Sequence, residues 1–299
     1  MQTTRPRRSV LYMPGSRARA LEKARSLPAD GLILDLEDAV AISEKEAARD
    51  LVADAVRKKG YGRREVIVRI NGLDTQWGEP DLEMAGRVGP DAILIPKVED
   101  PDTVLYVARR LASLGAPEHV AIWAMMETPL GMLRVADIAA AHARLGCLVM
   151  GTNDLVKELQ AEHTETRFPV LTALGLCLLA ARAYKLGILD GVYNAIQDEE
   201  ALAASCRQGR EFGFDGKTLI HPAQIAVTNR IFAPSDEELD RARRYVAAFE
   251  EAEAQGRGVA VVDGRLVENL HVENAKRLLA QAEMIGVLEA DLAATSTLA

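Results

Sequence analysis

The sequence has few cysteines, and none is placed for a zinc site or a disulfide framework. Its 299 residues include three cysteines, Cys147, Cys177 and Cys206, which lie far apart without CxxC spacing. This spacing favours reduced thiols in the core. None of the five histidines has a second histidine at ligand spacing, so zinc is disfavoured on that ground as well.

Long hydrophobic runs are also lacking. The basic start, residues 1–9, is followed by a short apolar run at 10–13, and no later stretch approaches the length of a membrane span. We therefore expect a cytoplasmic protein without a signal peptide or a membrane partner. The net charge is −8 and the basic residues are dispersed, which argues against nucleic-acid binding.

The sequence does have a regular alternation of apolar strands and amphipathic helices. Segments such as 43–59 and 101–114 carry helical periodicity, and Ser43 followed by Glu46 suggests a capping box. Eight nearly continuous apolar runs separate the helices: residues 9–13, 31–38, 65–71, 92–98, 120–127, 147–154, 189–194 and 217–221. This order predicts a parallel (β/α)8 TIM barrel. An open doubly wound sheet is the alternative, but its usual GxGxxG and GxxxxGK[ST] loops are absent.

The pattern changes near residue 255. A short strand at 259–262, a turn at Asp263-Gly264, a second extended piece and a helix at 272–285 follow. We predict an α/β barrel domain of residues 1–250 and a C-terminal extension of residues 251–299.

Acidic side chains follow several of the predicted strands. In a (β/α)8 barrel these positions converge on one mouth. Glu127 and Asp154 are candidate ligands for Mg²⁺ or Mn²⁺, because converging carboxylates repel one another unless a cation lies between them. Each could instead cap the helix that follows it.

Basic side chains occur at the same end. Arg69 can bind a substrate carboxylate through two parallel hydrogen bonds, or it can form a buried ion pair with Glu37 or Asp38. Both can hold together, because such a pair would fix the guanidinium. Lys97 is a candidate Schiff-base lysine, a role that we rank below a salt bridge because the acidic cluster offers a metal-dependent route.

The first helix provides further basic side chains. Arg17, Arg19 and Lys23 suit a phosphate near the helix start, with Arg17 nearest the mouth; they could also form a solvated face. His221 ends the eighth predicted strand and is a further candidate for substrate binding.

Seven motifs together resemble those of the HpcH/HpaI aldolase and citrate lyase β-subunit superfamily, in its branch of malyl-CoA, β-methylmalyl-CoA and citramalyl-CoA lyases. They are LYMPGS at 11–16, LDLEDAV at 34–40, VRIN at 68–71, PKVE at 96–99, ETPLG at 127–131, GTNDL at 151–155 and GFDGKTLIHPAQ at 213–224.

This resemblance implies a Mg²⁺ ion held by Glu127 and Asp154 and a substrate carboxylate held by Arg69, with Glu37 and Asp38 in support. It also implies coenzyme A over the barrel mouth and a homotrimer or homohexamer. The candidate contacts for coenzyme A are Arg17, Lys23 and His221.

The resemblance further implies a lyase that splits a hydroxyacyl-CoA into acetyl-CoA or propionyl-CoA and a 2-oxo acid. A malyl-CoA thioesterase or a malate-synthase-like enzyme is an alternative. Two others are the β subunit of a citrate lyase that acts on a carrier-bound citryl thioester, and a catalytically silent barrel that acts as a binding partner.

The family's extension often closes as a lid over a neighbouring subunit and supplies an aspartate. Glu268 stands at that position here and is the candidate catalytic acid of the extension. Asp263 is a nearby substitute that we rank lower.

Overall fold

The chain forms a closed barrel of eight parallel strands in sequence order. The computed structural model describes residues 5–297. Its strands are β1 (Ser9–Pro14), β2 (Gly31–Asp35), β3 (Glu65–Arg69), β4 (Ala92–Ile95), β5 (Ala121–Met126), β6 (Leu145–Met150), β7 (Gly187–Asp190) and β8 (Gly216–Leu219). Ser9 of β1 pairs with Lys217 of β8 and closes the sheet, so the predicted (β/α)8 barrel is confirmed and the open sheet is excluded.

Helices follow the strands and cover the outside of the barrel. They are α1 (Ala18–Lys23), α2 (Lys45–Lys58), α3 (Gly78–Val88), α4 (Pro101–Ser113), α5 (Pro129–Leu133), α6 (Val135–Ala140), α7 (Thr152–Glu158), α8 (Leu171–Ala183), α9 (Glu199–Phe212) and α10 (Ile225–Phe232). The predicted capping box is wrong: Ser43 lies inside a 3₁₀ turn, Ile42–Glu44, and α2 begins only after it.

Alternate strand residues form two hydrophobic layers. Inward-facing side chains such as Ile33, Leu94 and Trp123 form a cluster made of strand residues, which fills the barrel. The residues between them face outward and pack against the helices. This core fixes the strands, so the residues that follow each strand meet at one end.

The predicted strands run too far at that end. The run predicted for residues 31–38 stops at Asp35, because the Asp35 carboxylate accepts the peptide N–H groups of Glu37 and Ala39 and turns the chain out of the sheet. The seventh predicted run, 189–194, is shifted, since β7 begins at Gly187 and ends at Asp190.

The barrel unit spans Arg7–Phe232, and the residues from Ala233 onward belong to a second compact unit. The predicted boundary at residue 250 falls inside a helix of this second unit, because that helix packs against the terminal helix rather than ending the barrel. The elements of the second unit are α11 (Asp236–Ala254), a hairpin of β9 (Ala260–Val262) and β10 (Arg265–Val267), and α12 (Asn269–Thr297).

The second unit has its own small core, in which Phe249 and Ala252 of α11 pack with Val262, Val267 and other apolar residues. Asp263 and Gly264 both have positive φ values, 51° and 72°, as a tight hairpin turn requires.

The three cysteines are free and buried, as predicted. Across residues 5–297, no helix combines the length and the apolar composition needed to cross a membrane.

Candidate active site

An acid and a base face each other where β2 and β3 end. The parallel register places Asp35 beside Arg69. Arg69 donates from Nε to Oδ1 and from Nη2 to Oδ2 of Asp35, both at 2.6 Å, and both residues are buried. Such a paired arrangement fixes the plane of the guanidinium. Asp35 had no assigned role in the sequence analysis, although a carboxylate that ends a fully apolar strand requires a cationic partner.

The remaining edge of Arg69 faces two further acids. Its Nη1 lies 2.7 Å from Glu37 Oε2, without the alignment of a hydrogen bond, and 3.4 Å from Asp38 Oδ2. The Tyr12 ring covers the guanidinium at 4.8 Å. The structure thus brings Arg69, Glu37 and Asp38 together, but only the Nη1 side and the outer hydrogen of Nη2 could meet a substrate carboxylate.

Lys97 lies on the other side of Glu37. Its Nζ is 3.2 Å from Glu37 Oε1, so this carboxylate bridges two cations. Burial raises the pKa of Glu37, and the charges of Arg69 and Lys97 oppose that rise. Burial acts to lower the pKa of Lys97, but the charge of Glu37 and its hydrogen bond raise it overall. A Schiff base needs a neutral amine, so the contacts favour the salt-bridge role of Lys97.

Glu127 and Asp154 follow β5 and β6. Glu127 is buried, and its Oε1 accepts the peptide N–H of Lys97 at 2.8 Å. Asp154 is half-buried in the first turn of α7. Burial raises the pKa of Glu127 to about 8, and the negative charges of Glu37 and Asp154 act in the same direction. A bound cation would reverse this effect, because it favours the ionised carboxylate.

The donor set suits a magnesium ion better than zinc. Within residues 5–297, no group of three or more His, Cys, Asp and Glu side chains is arranged to hold a metal. Mg²⁺ commonly uses one or two protein carboxylates together with water and substrate oxygens, and Glu127 with Asp154 provides such a pair. The site also holds five carboxyl groups against three cations, Arg69, Lys97 and the buried Lys45, an excess that a divalent cation would offset.

The basic residues predicted to bind coenzyme A are spread more widely than expected. Arg17 is exposed and begins α1 directly after β1, at the mouth. Lys23 is in the last turn of α1, roughly 9 Å along the helix, so it does not open the helix beside Arg17 as expected. His221 is exposed after β8, and its Nδ1 accepts the Ala223 N–H.

The two candidate acids of the extension lie in the second unit. Glu268 is exposed, and its peptide N–H donates to Nδ1 of His271. Asp263 is bound to Arg244 at 2.6 Å. Glu268 thus has the more available carboxylate of the two.

A buried lysine behind the site was missed by the sequence analysis. The Lys45 ammonium donates to the carbonyl oxygens of Leu36 and Glu37, at 2.8 and 2.6 Å, and to Asn71 Oδ1 at 2.6 Å. It therefore supports the loop that carries Glu37. The available signal was its helical spacing with the buried residues Ala48 and Val52, which places Lys45 on the inner face of α2.

A family model described as HpcH/HpaI aldolase/citrate lyase matches residues 8–222, a span that includes all eight strands of the barrel. The chain belongs to this family. The resemblance inferred from the motifs is thereby confirmed.

Named relatives of this HpcH/HpaI family member include two kinds of enzyme. The chain is 55% identical over 285 residues to the (3S)-malyl-CoA thioesterase of Cereibacter sphaeroides (strain ATCC 17025 / ATH 2.4.3), covering 95% of this chain and 98% of that protein. It is 36% identical over 291 residues to the citrate lyase subunit beta of Escherichia coli K12, covering 96% of each.

Solved structures agree with these relatives. The protein CitE of Mycobacterium tuberculosis, in complex with magnesium, acetoacetate and coenzyme A, matches with a TM-score of 0.74 at 30% identity, over 92% of this chain and 97% of that one. The citrate lyase beta subunit of M. tuberculosis with oxaloacetate and magnesium has a TM-score of 0.68 at 30% identity, over 78% and 100%. The chain is thus a member of an enzyme family whose relatives include a thioesterase and lyase subunits.

Proposed function

We propose that the protein acts on the coenzyme A thioester of a short hydroxy acid, represented by (3S)-malyl-CoA, and that hydrolysis of the thioester is its net reaction. The observation that carries the choice of reaction is the 55% identity, along nearly the whole chain, to a (3S)-malyl-CoA thioesterase. Similarity to citrate lyase β subunits is lower, at 36%. The carbon–carbon lyase expected from the motifs becomes the second candidate.

The substrate class is supported by the charges at the mouth. Arg69 would meet the substrate carboxylate at its outer edge, beside Glu37 and Asp38, while Asp35 holds the guanidinium in place. Glu127 and Asp154 would hold Mg²⁺ or Mn²⁺, in line with the magnesium named for the CitE complex. When bound, the cation would supply positive charge to the hydroxyl and carboxylate oxygens of the hydroxy acid.

Coenzyme A would lie over the mouth, where Arg17 and His221 are the exposed candidate contacts and Lys23 is a more distant one. The cytoplasmic location and the homotrimer or homohexamer stay predictions. So does the role of the second unit as a lid that brings Glu268 to a neighbouring site. Sedimentation of the purified protein would test the assembly.

The two candidate reactions place different demands on the protein. Hydrolysis adds water across the thioester: the C–S bond breaks, the acyl carbon takes the hydroxyl group, the sulfur takes a proton, and malate and coenzyme A result. Carbon–carbon cleavage removes the hydroxyl proton, breaks the bond between the hydroxyl-bearing carbon and the CH₂ carbon, and gives glyoxylate and the enolate of acetyl-CoA. That enolate must then receive a proton at carbon.

Glu268 gives a second reason to favour hydrolysis. Where the family often has an aspartate, this chain has a side chain longer by one methylene. A displacement of about 1 Å can cost on the order of 10²-fold in a reaction that needs an aligned proton donor. Hydrolysis does not protonate a carbon, so it is less sensitive to this change.

One assay separates the two reactions. The enzyme, supplied with Mg²⁺, is incubated with (3S)-malyl-CoA while free thiol and glyoxylate are measured on the same sample. We expect one thiol for each substrate molecule consumed and no glyoxylate. Glyoxylate with acetyl-CoA and no thiol would identify the lyase instead. No turnover of malyl-, citramalyl- or citryl-CoA would overturn the proposed function and favour a silent barrel.

A further inference from the structure

Lys97 contacts two of the site's acids through two different groups. Its peptide N–H donates to Glu127 Oε1 at 2.8 Å, and its ammonium lies 3.2 Å from Glu37 Oε1. Its side chain is 47% exposed, whereas that of Glu37 is 11% exposed. A half-exposed lysine is therefore linked to carboxylates that are almost entirely buried.

The backbone of Lys97 has an unusual conformation. Its φ is +48°, in the left-handed region that residues with a side chain seldom adopt. The N–H of Lys97 points to the Glu127 side chain, while the next N–H, of Val98, donates to the Met125 carbonyl at 3.2 Å. The left-handed conformation thus directs the Lys97 N–H towards the Glu127 carboxylate and the Val98 N–H towards the backbone of β5.

Gly151 limits Glu127 from the opposite side. A Cβ atom at position 151 would lie 2.5 Å from Glu127 Oε2, so any larger residue would collide with the carboxylate. The Glu127 carboxylate therefore lies between the peptide of Lys97 at Oε1 and the bare backbone of Gly151 at Oε2. This leaves it little freedom to rotate.

We infer that Lys97 is a positioning residue whose peptide group orients Glu127 and whose ammonium holds Glu37 against Arg69. The inference deepens the proposed function and rests on it, because it takes Glu127 to be a metal ligand. The contact of the Lys97 peptide with Glu127 and the contact of the Lys97 ammonium with Glu37 can be removed separately. The peptide contact needs the left-handed backbone, and the ammonium contact needs only the side chain.

Two substitutions separate the contacts. Lys97→Asn removes the ammonium, but asparagine tolerates the left-handed region and keeps the N–H. Lys97→Val also keeps the N–H, but a β-branched residue is strained there. Mn²⁺ affinity is measured without substrate, from the electron paramagnetic resonance signal of the free ion. We expect Lys97→Asn to bind Mn²⁺ at least as tightly as the wild type, because the loss of the ammonium removes a positive charge near Glu127 and Asp154. We expect Lys97→Val to bind it about tenfold more weakly, the size set by left-handed strain.

Lys185 provides a matched control. It is an exposed lysine with φ +57°, and it lies before β7, at the other end of the strands. Lys185→Asn and Lys185→Val introduce the same changes, with the same strain, away from the acids. Both should leave Mn²⁺ affinity and turnover unchanged, so an effect restricted to position 97 cannot come from general destabilisation.

Crystal structures of the variants provide a readout that does not depend on the reaction or on the metal. In Lys97→Asn the Glu37 carboxylate should move while Glu127 stays; in Lys97→Val the Glu127 carboxylate should move as well. Unchanged positions of both carboxylates, or wild-type Mn²⁺ affinity in Lys97→Val, would overturn the inference. Should Lys97→Val fail to fold, the position of Glu37 in Lys97→Asn decides. A wild-type protein that binds no Mn²⁺ would refute the metal part of the proposed function, and the crystal structures would still decide the role of Lys97.

Discussion

The pairing of Asp35 with Arg69 gives a prediction whose size can be worked out from the contacts. Oδ1 of Asp35 accepts from Arg69 Nε and from the Glu37 N–H, while Oδ2 accepts from Arg69 Nη2 and from the Ala39 N–H. In Asp35→Asn one of these oxygens becomes an NH₂ group. In either orientation of the asparagine amide, its NH₂ group faces one nitrogen of Arg69 and one peptide N–H, which are both donors. Two hydrogen bonds are therefore lost together with the negative charge.

Removing one partner of a buried ion pair costs about 3–5 kcal/mol. For a barrel of this size, that corresponds to a fall of roughly 10 °C in Tm. The guanidinium of Arg69 also loses the contacts that fix its plane. A displacement of about 1 Å at the substrate carboxylate should lower kcat/KM on the order of 10²-fold.

The chain contains a matched pair at the opposite end of the barrel. Arg8 donates from Nε and Nη2 to the two oxygens of Asp30, both at 2.9 Å, and both residues are buried. Asp30→Asn should therefore lower Tm by a similar amount without lowering kcat/KM. The two variants are compared by thermal unfolding and by the thiol assay at a temperature where both are folded. Wild-type kcat/KM in Asp35→Asn, or an equal loss in Asp30→Asn, would refute the reasoning.

Three further predictions concern the metal and the second unit. Treatment with EDTA should abolish turnover, and added Mg²⁺ should restore it. The Asp154→Ala variant should lose Mn²⁺ binding while its circular dichroism spectrum stays unchanged. Full turnover after EDTA treatment would contradict the metal assignment. Burial raises the pKa of Glu127 from 4.5 to about 8, so the free energy of unfolding of the metal-free protein should fall as the pH rises between these values. In urea titrations of Glu127→Gln, this pH-dependent fall should be absent. The Glu268→Ala substitution should reduce turnover with little change in metal affinity. Mixing the Glu268→Ala protein with the Arg69→Ala protein should restore part of the activity. If no activity is recovered under conditions where the subunits demonstrably exchange, Glu268 does not act in a neighbouring subunit's site.

The barrel could be predicted because burial on both faces leaves a strong signal in the sequence. Runs such as Ala92–Ile95 are apolar throughout, as a strand in a sheet covered on both sides requires. The strand ends could not be predicted from apolar runs. Asp35 ends β2 because its carboxylate accepts hydrogen bonds from the following peptide N–H groups, and the hydrophobicity of the sequence does not indicate such contacts.

The composition of the site was predicted, and so was the ion pair of Arg69 with Glu37 or Asp38, but not the pairing of Arg69 with Asp35. Arg69, Glu37 and Asp38 were identified by their places after strands, and the structure brings them together. The two-bond partner of Arg69 was missed, because it depends on which residue of β2 lies beside it. That register follows only once Gly31 is known to pair with Glu65. Lys97 was identified as a salt-bridge lysine, but its left-handed backbone has no sequence signature comparable to that of a glycine.

The candidate site differs from the structural ion pairs of the barrel in how its charges are paired. At the end where strands begin, Arg7 pairs with Glu65 at 2.7 Å and Arg8 with Asp30 at 2.9 Å, so each buried acid there has a cation of its own. In the candidate site, five carboxyl groups share the charges of Arg69, Lys97 and the buried Lys45. Glu127 receives only a peptide N–H as its hydrogen-bond donor among the described contacts. An uncompensated buried acid lowers the stability of the protein alone, and a cation that binds the folded state recovers that stability. Asp190 ends β7 at the same end of the barrel and is bound to both Arg167 and Lys217, at 2.6 and 2.8 Å, so the imbalance belongs to the acids of the candidate site and not to that whole end.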